Sequence, residues 1–192
     1  MGKDLNDIKS LPEYVQKLVW QFNFARQFRN AVEEMMVFPE NFKGRAILKY
    51  CTKESGVVAS FRGNKTIIKV TPYYANRAFA CELFLKIIIS LKDGKIRNDL
   101  HTHDLYKLYE MAKIKIDFIE FLKKHNIVFS EIDTKIKSFA NSYIELRYLH
   151  ERDNYHMENA GVLVVFCDFL DLFLERCFKE RYNFDVSKVS QH

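Results

Sequence analysis

Between Tyr73 and Ile89 the chain reads YYANRAFACELFLKIII, an apolar stretch without glycine or proline that carries Glu82 and Lys86 inside it. A segment this long, with neither turn residues nor strict alternation of apolar and polar positions, is a buried helix rather than a strand. Glu82 and Lys86 fall about 40° apart on a helical wheel, with Phe79, Leu83 and Ile87 beside them. They face inward, and a buried charge without a partner costs several kcal/mol. The rest of the chain must therefore supply polar groups at that place.

The remaining segments extend the same reading. Seventeen Phe and ten Tyr supply a large aromatic core, and six Gly and three Pro in 192 residues leave few tight turns. The expected class is all-α, an up-down helical bundle preceded by an N-terminal helix. That first helix starts near Ser10, with Pro12 in its opening turn and Glu13 at capping-box spacing, and buries Val15, Leu18, Val19, Phe22, Ala25 and Phe28. GRAILKYCTKES reads as either a short helix or a loop. In VVASFRGNKTIIKV two β-branched runs flank Arg62-Gly63-Asn64-Lys65, which predicts a small β-hairpin or extended arm. Thr71-Pro72 is a helix-start signal for the Glu82 segment, which runs to about Ser90. THDLYKLYEMA opens another helix, with Thr102 as cap and Asp104 in the first turn. IDFIEFLKKHN, SEIDTKIKSFANSYIELRYLHE and MENAGVLVVFCDFLDLFLERCFKERYN give three more. The expected organisation is residues 1–70 as the helix plus a basic extended segment, 71–184 as the bundle, and 185–192 as a frayed tail.

Charge is uneven along the chain. Lys43, Arg45, Lys49, Lys53, Arg62, Lys65 and Lys69 stand against Glu54 alone, a local balance of +6 in a chain whose formal net charge is +5. That clustering is the footprint of a surface that meets phosphate, and makes these seven the candidate nucleic-acid-binding residues. Cys51, Cys81, Cys167 and Cys177 have no zinc-type spacing, so buried thiols are expected. The opening MGKDLNDIKS lacks the apolar core of a signal peptide, and no apolar run approaches the ~20 residues of a membrane span. The expectation is a cytoplasmic protein with no membrane contact, no cofactor and no metal.

The partners for Glu82 and Lys86 are sought on the helix that begins near Ile132. With Ile132 at zero, His150 also falls at zero, Arg147 near 60° and Glu151 near 100°. Glu82, Lys86, Arg147, His150 and Glu151 are thus the expected polar cluster, in the bundle or at its mouth.

At these residues the chain resembles the HEPN superfamily, the all-α nucleotide-binding and ribonuclease domains of prokaryotic defence and toxin systems. NRAFACELFLK is similar to its first bundle helix, HTHDLYKLYE to the His-Asp-Leu segment that follows, and FANSYIELRYLHE to its Arg-Tyr-containing helix. The match covers about residues 71 to 180. The resemblance implies a homodimeric module that binds RNA, a nucleotide or a protein partner such as an antitoxin. In catalytic members an Arg and a His separated by four to six residues cut RNA without metal across a dimer. Here Arg147 and His150 are separated by two residues and Arg152 and His156 by three, while Arg97 and His103, separated by five, lie in the polar turn before the His-Asp-Leu segment and read as a chance match, so the motif departs from the family pattern. Binding without catalysis is the reading this favours. A ribonuclease would use Arg147 and His150, with His156 as alternate base, and a purely structural or assembly role is the remaining alternative.

Other constellations point to structure. His101 and His103 have no third ligand nearby in sequence and read as capping or surface histidines. Asp168, Asp171 and Glu175 form a carboxylate row that reads as the solvated face of an apolar helix. Tyr148, Leu149, Val162, Val165 and Phe169 are the expected dimer seam.

Overall fold

A computed structural model describes residues 8–35, 67–146 and 160–189 of the chain. These form six α-helices, α1 (Glu13–Met35), α2 (Ile67–Asp93), α3 (Leu105–Ala112), α4 (Lys115–Lys124), α5 (Ile132–Leu146) and α6 (Ala160–Tyr182), with no strand among the described residues. The class is all-α, as the turn-poor composition requires.

Helix α2 is the centre, in contact with α1, α3, α5 and α6. Its apolar residues on most sides, Ala78, Cys81, Phe84, Leu85, Ile87 and Ile88 among them, are at most 1% exposed, as expected of a helix surrounded by others. Helix α1 lies antiparallel to α2, because Phe28 meets Phe79 while Phe22, earlier in α1, meets Phe84, later in α2. It is antiparallel to α6 as well, since Phe22 meets Phe178 and Tyr14 bonds Tyr182 at 2.8 Å, whereas Arg29 bonds Asp168. Helices α2 and α6 run parallel, with Arg77 on Asp168 at one end and Arg181 on the Leu91 carbonyl at the other. A second aromatic centre forms around Phe166, which packs against Tyr109, Phe118, Phe139 and Phe169 and so ties α3, α4 and α5 to α6.

Several boundaries differ from those the sequence suggests. Helix α1 begins at Glu13, just after Pro12, whose carbonyl accepts from the backbone N–H of Val15 and Gln16. Helix α2 begins at Ile67, so Ile67–Val70, read as the second run of a hairpin, are helical. β-Branched residues lower helix propensity only slightly, and Pro72 lies near enough to the helix start to forfeit a single backbone bond. The rest of the expected hairpin lies outside the described residues. Asp104, not Thr102, caps α3: its carboxylate accepts from the Lys107 N–H at 3.0 Å, while the Thr102 hydroxyl accepts from Asp104 N–H. Past Phe184 the turn Val186–Lys188 buries Val186 to 1% exposure, so the chain is packed there rather than frayed. Of the residues expected at a dimer seam, Val162 and Phe169 are each 3% exposed and packed in the chain's own core, Val165 is partly buried against it, and Tyr148 and Leu149 lie outside the described residues.

Candidate functional site

The segment that raised the question about inward charge answers it in part. Glu82 is 1% exposed. Its Oε1 accepts from Lys86 Nζ at 2.9 Å and from His103 Nδ1 at 2.9 Å, and its Oε2 accepts from the Tyr143 hydroxyl at 3.3 Å. Three elements thus converge on one carboxylate: α2 itself, the loop before α3, and α5. The carboxylate is buried while the Lys86 side chain is 23% exposed and that of His103 56% exposed. Among the described residues, the covered Glu82 carboxylate has the Lys86 ammonium and the His103 ring at its rim.

His103 is held in place by its neighbours in the chain. Gly94, with a φ of 67°, turns the chain out of α2, and Arg97 then bonds both Asp93 and Asp99. The Arg97 guanidinium holds the Asp99 carboxyl down to about 2. Leu100 is buried, and Asp104 begins α3, which leaves His103 pinned between an apolar anchor and a helix cap. Because a carboxylate only accepts, His103 donates to Glu82 from Nδ1. Lys86 bonds Glu82 alone among the described residues, so two of its three N–H donors remain for an incoming oxygen.

Glu82 and Lys86, expected together, are together. His103 and Tyr143 join them, though neither was assigned to this cluster from sequence. Arg147, His150, Glu151 and His156 lie outside the described residues, as do Lys43, Arg45, Lys49, Lys53, Arg62 and Lys65; Lys69 lies in the first turn of α2.

A second polar set overturns an expectation. Asp171 on α6 is 3% exposed and accepts from Arg26 Nε at 2.6 Å and Arg29 Nη1 at 2.7 Å, while Asp168 accepts from Arg29 Nη2 at 3.0 Å and Arg77 Nη1 at 3.2 Å, and Glu175 bonds Arg26. The carboxylate row is not a solvated face: it is the seam where α1 docks. Burial pulls the Arg26 guanidinium down, but Asp171 and Glu175 outweigh it and its pKa is raised. Every acid of the row is engaged by arginine, which suits an ion-pair seam rather than a cation site.

Elsewhere the chemistry is structural. Burial first, and Cys167 beside it, push the Cys81 thiol well above its usual range, so it is a poor nucleophile. In a surface hollow at the start of α5, Asp133 is bonded to Lys115 and to the Tyr109 hydroxyl; burial and Asp133 push that phenol up. Among the described residues no group of His, Cys, Asp and Glu has the arrangement of a metal site, and no helix is long and apolar enough to cross a membrane.

The chain matches no protein-family model, no curated protein and no solved structure.

Proposed function

We propose that this chain is a HEPN-like helical module that binds RNA through its phosphates, without cutting it. The observation that carries the reading is the buried Glu82 carboxylate, which presents Lys86 and His103 side by side at a half-exposed rim. Fixing the Lys86 ammonium before the ligand arrives lowers the ordering cost of binding, and its remaining N–H donors suit a phosphate oxygen. The basic run from Lys43 to Lys69 adds the long-range attraction that a polyanion responds to. A homodimer, or a protein partner of the antitoxin kind, would extend this surface.

The experiment is retention of labelled mixed RNA by the purified chain in EDTA, across a salt series. Retention should fall with log[salt] at about −0.7 per phosphate neutralised. Lys86→Ala and His103→Ala should each weaken it severalfold. No retention at low salt would overturn the reading. RNA cleavage in EDTA that disappears in Arg147→Ala would replace it with the ribonuclease alternative, and intact RNA left unbound would favour the assembly role.

A further inference from the structure

The rim of the Glu82 site offers two nitrogen groups that suit two different oxygens. Lys86 Nζ and His103 Nδ1 each lie 2.9 Å from the same atom, Glu82 Oε1, so they stand no farther apart than twice that distance. Both side chains reach water, Lys86 at 23% and His103 at 56% exposed, while Glu82 is 1% exposed. A ligand resting on the rim therefore touches the ammonium and the imidazole but not the anion that holds them. The next carboxylate in the chain, Asp104, is turned onto the backbone N–H of Lys107 at 3.0 Å.

A phosphate satisfies the ammonium, which only donates. It does not equally satisfy the imidazole. With Nδ1 donating to Glu82, the nitrogen that His103 brings to a ligand is Nε2. That atom accepts in the neutral ring and donates in the charged one. A phosphate oxygen, which only accepts, fits one of these forms, whereas a hydroxyl, which both donates and accepts, fits either. The ligand chemistry that matches the pair is a phosphate with an alcohol beside it. In RNA the 2′-hydroxyl and the 3′-phosphate hang from neighbouring carbons of one ribose, side by side as the two rim groups are. DNA has the phosphate and lacks the hydroxyl.

We propose that His103 reads the ribose 2′-hydroxyl of the nucleotide whose 3′-phosphate meets Lys86, so that the rim selects RNA over DNA. The inference rests on the RNA-binding reading above and adds the recognition that a phosphate contact by itself does not supply. Tyr143, 2% exposed, meets Glu82 rather than the ligand: it helps to fix the carboxylate, and the carboxylate fixes the ring.

The test is filter retention by the full chain, in EDTA, of one short mixed sequence made as RNA, as DNA and as 2′-fluoro RNA. The fluoro strand keeps the sugar pucker of RNA but has no hydroxyl proton to give, which separates the hydroxyl from the shape of the strand. RNA should bind about fivefold tighter than DNA, the share of one hydrogen bond, and the fluoro strand should bind as DNA does. His103→Ala, a change at an exposed ring that should leave helicity unaltered, should bring RNA down to the level of DNA and leave DNA where it was. Lys86→Ala should weaken both by the same factor and keep their ratio. RNA and DNA retained equally by the parent would overturn the 2′-hydroxyl assignment while leaving phosphate binding intact. So would a fluoro strand retained as well as RNA, which would give the discrimination to strand shape, or a ratio unmoved in His103→Ala, which would place it away from this ring. Retention of no nucleic acid would remove the RNA-binding reading as well.

Discussion

Asp171→Ala tests what holds α1 onto the rest of the molecule. The Asp171 side chain is 4% exposed and accepts from both Arg26 and Arg29, whose side chains are 16% and 23% exposed. Deleting one member of a buried ion pair costs about 3–5 kcal/mol, chiefly because the surviving charge is left in low dielectric. Here the survivors are not stranded: Arg26 keeps Glu175 and Arg29 keeps Asp168. The expected loss is therefore at the lower end, about 3 kcal/mol, against a typical total of 5–15 kcal/mol. For a chain of this size that is a drop of roughly 6–12 °C in Tm. Urea unfolding monitored by circular dichroism measures it, with m unchanged if both states stay as compact. The control is Asp168→Ala, which removes bonds to Arg29 and Arg77 from a side chain that is 38% exposed, and should cost about 1 kcal/mol. Burial, not the number of hydrogen bonds, sets this order. Should Asp168→Ala prove equal or worse, or Asp171→Ala lose under 1 kcal/mol, the ion-pair seam would be incidental. Docking of α1 would then rest on Phe22, which is fully buried between Phe84 and Phe178 under the Arg26 guanidinium.

Two further expectations use other parts of the core. Glu82→Ala removes the acceptor of the buried Tyr143 hydroxyl and the counter-charge of Lys86, and should destabilise by about 2 kcal/mol, with Glu82→Gln costing less because it keeps an acceptor for Tyr143; equal losses in urea titrations would refute the distinction. Burial, and then the bond with Tyr14, push the Tyr182 phenol up to about 12. Since the folded state holds this proton more tightly than the unfolded one, the stability it contributes is complete below about pH 10 and is lost as pH rises towards 12. Tyr14→Phe should lower the Tyr182 midpoint, read from its ring carbon by NMR across an alkaline titration; an unchanged midpoint would leave burial as the whole cause.

What could be read from the sequence follows the range of each interaction. Helix periodicity is local, and α1, α5 and α6 were visible because Val15, Leu18, Val19 and Phe22, or Ile132, Ile136, Phe139 and Tyr143, repeat on one face. Glu82 and Lys86 are one turn apart, so their pairing was visible too. His103 was not, because it meets Glu82 across a loop, where no periodicity links the two positions. The seam of α1 and α6 was misread for a related reason. A wheel drawn for α6 alone puts Asp168, Asp171 and Glu175 in a row, and an acidic row on one helix looks solvated. The available signal was a second row: Arg26 and Arg29 on α1 have matching spacing, and two complementary rows in antiparallel helices pair in opposite order, as Arg29–Asp168 and Arg26–Glu175 do. The start of α2 was misplaced because a Thr-Pro step is compatible both with the head of a helix and with a place one turn inside it.

Two carboxylates are buried among the described residues, and they are compensated differently in a way that separates scaffold from site. Asp171 is met by guanidinium groups that are themselves largely covered and have other acids to bond, so its charge is used up within the fold. Glu82 is met by an ammonium and an imidazole that reach the surface, one of them more exposed than covered. If stability were the sole requirement, an apolar residue in the middle of α2 would serve as well or better, since replacing a buried ion pair with well-packed hydrophobic groups is often neutral or favourable. A carboxylate there has a use that leucine lacks: it fixes the positions of His103 and Lys86 while staying out of water itself. Glu82→Leu separates the two roles. It should preserve the fold better than Glu82→Ala in urea titrations, yet weaken RNA retention as much as the alanine variant does, because both release Lys86 and His103 from their fixed places. A leucine variant that retains RNA as the parent does would make Glu82 part of the scaffold alone.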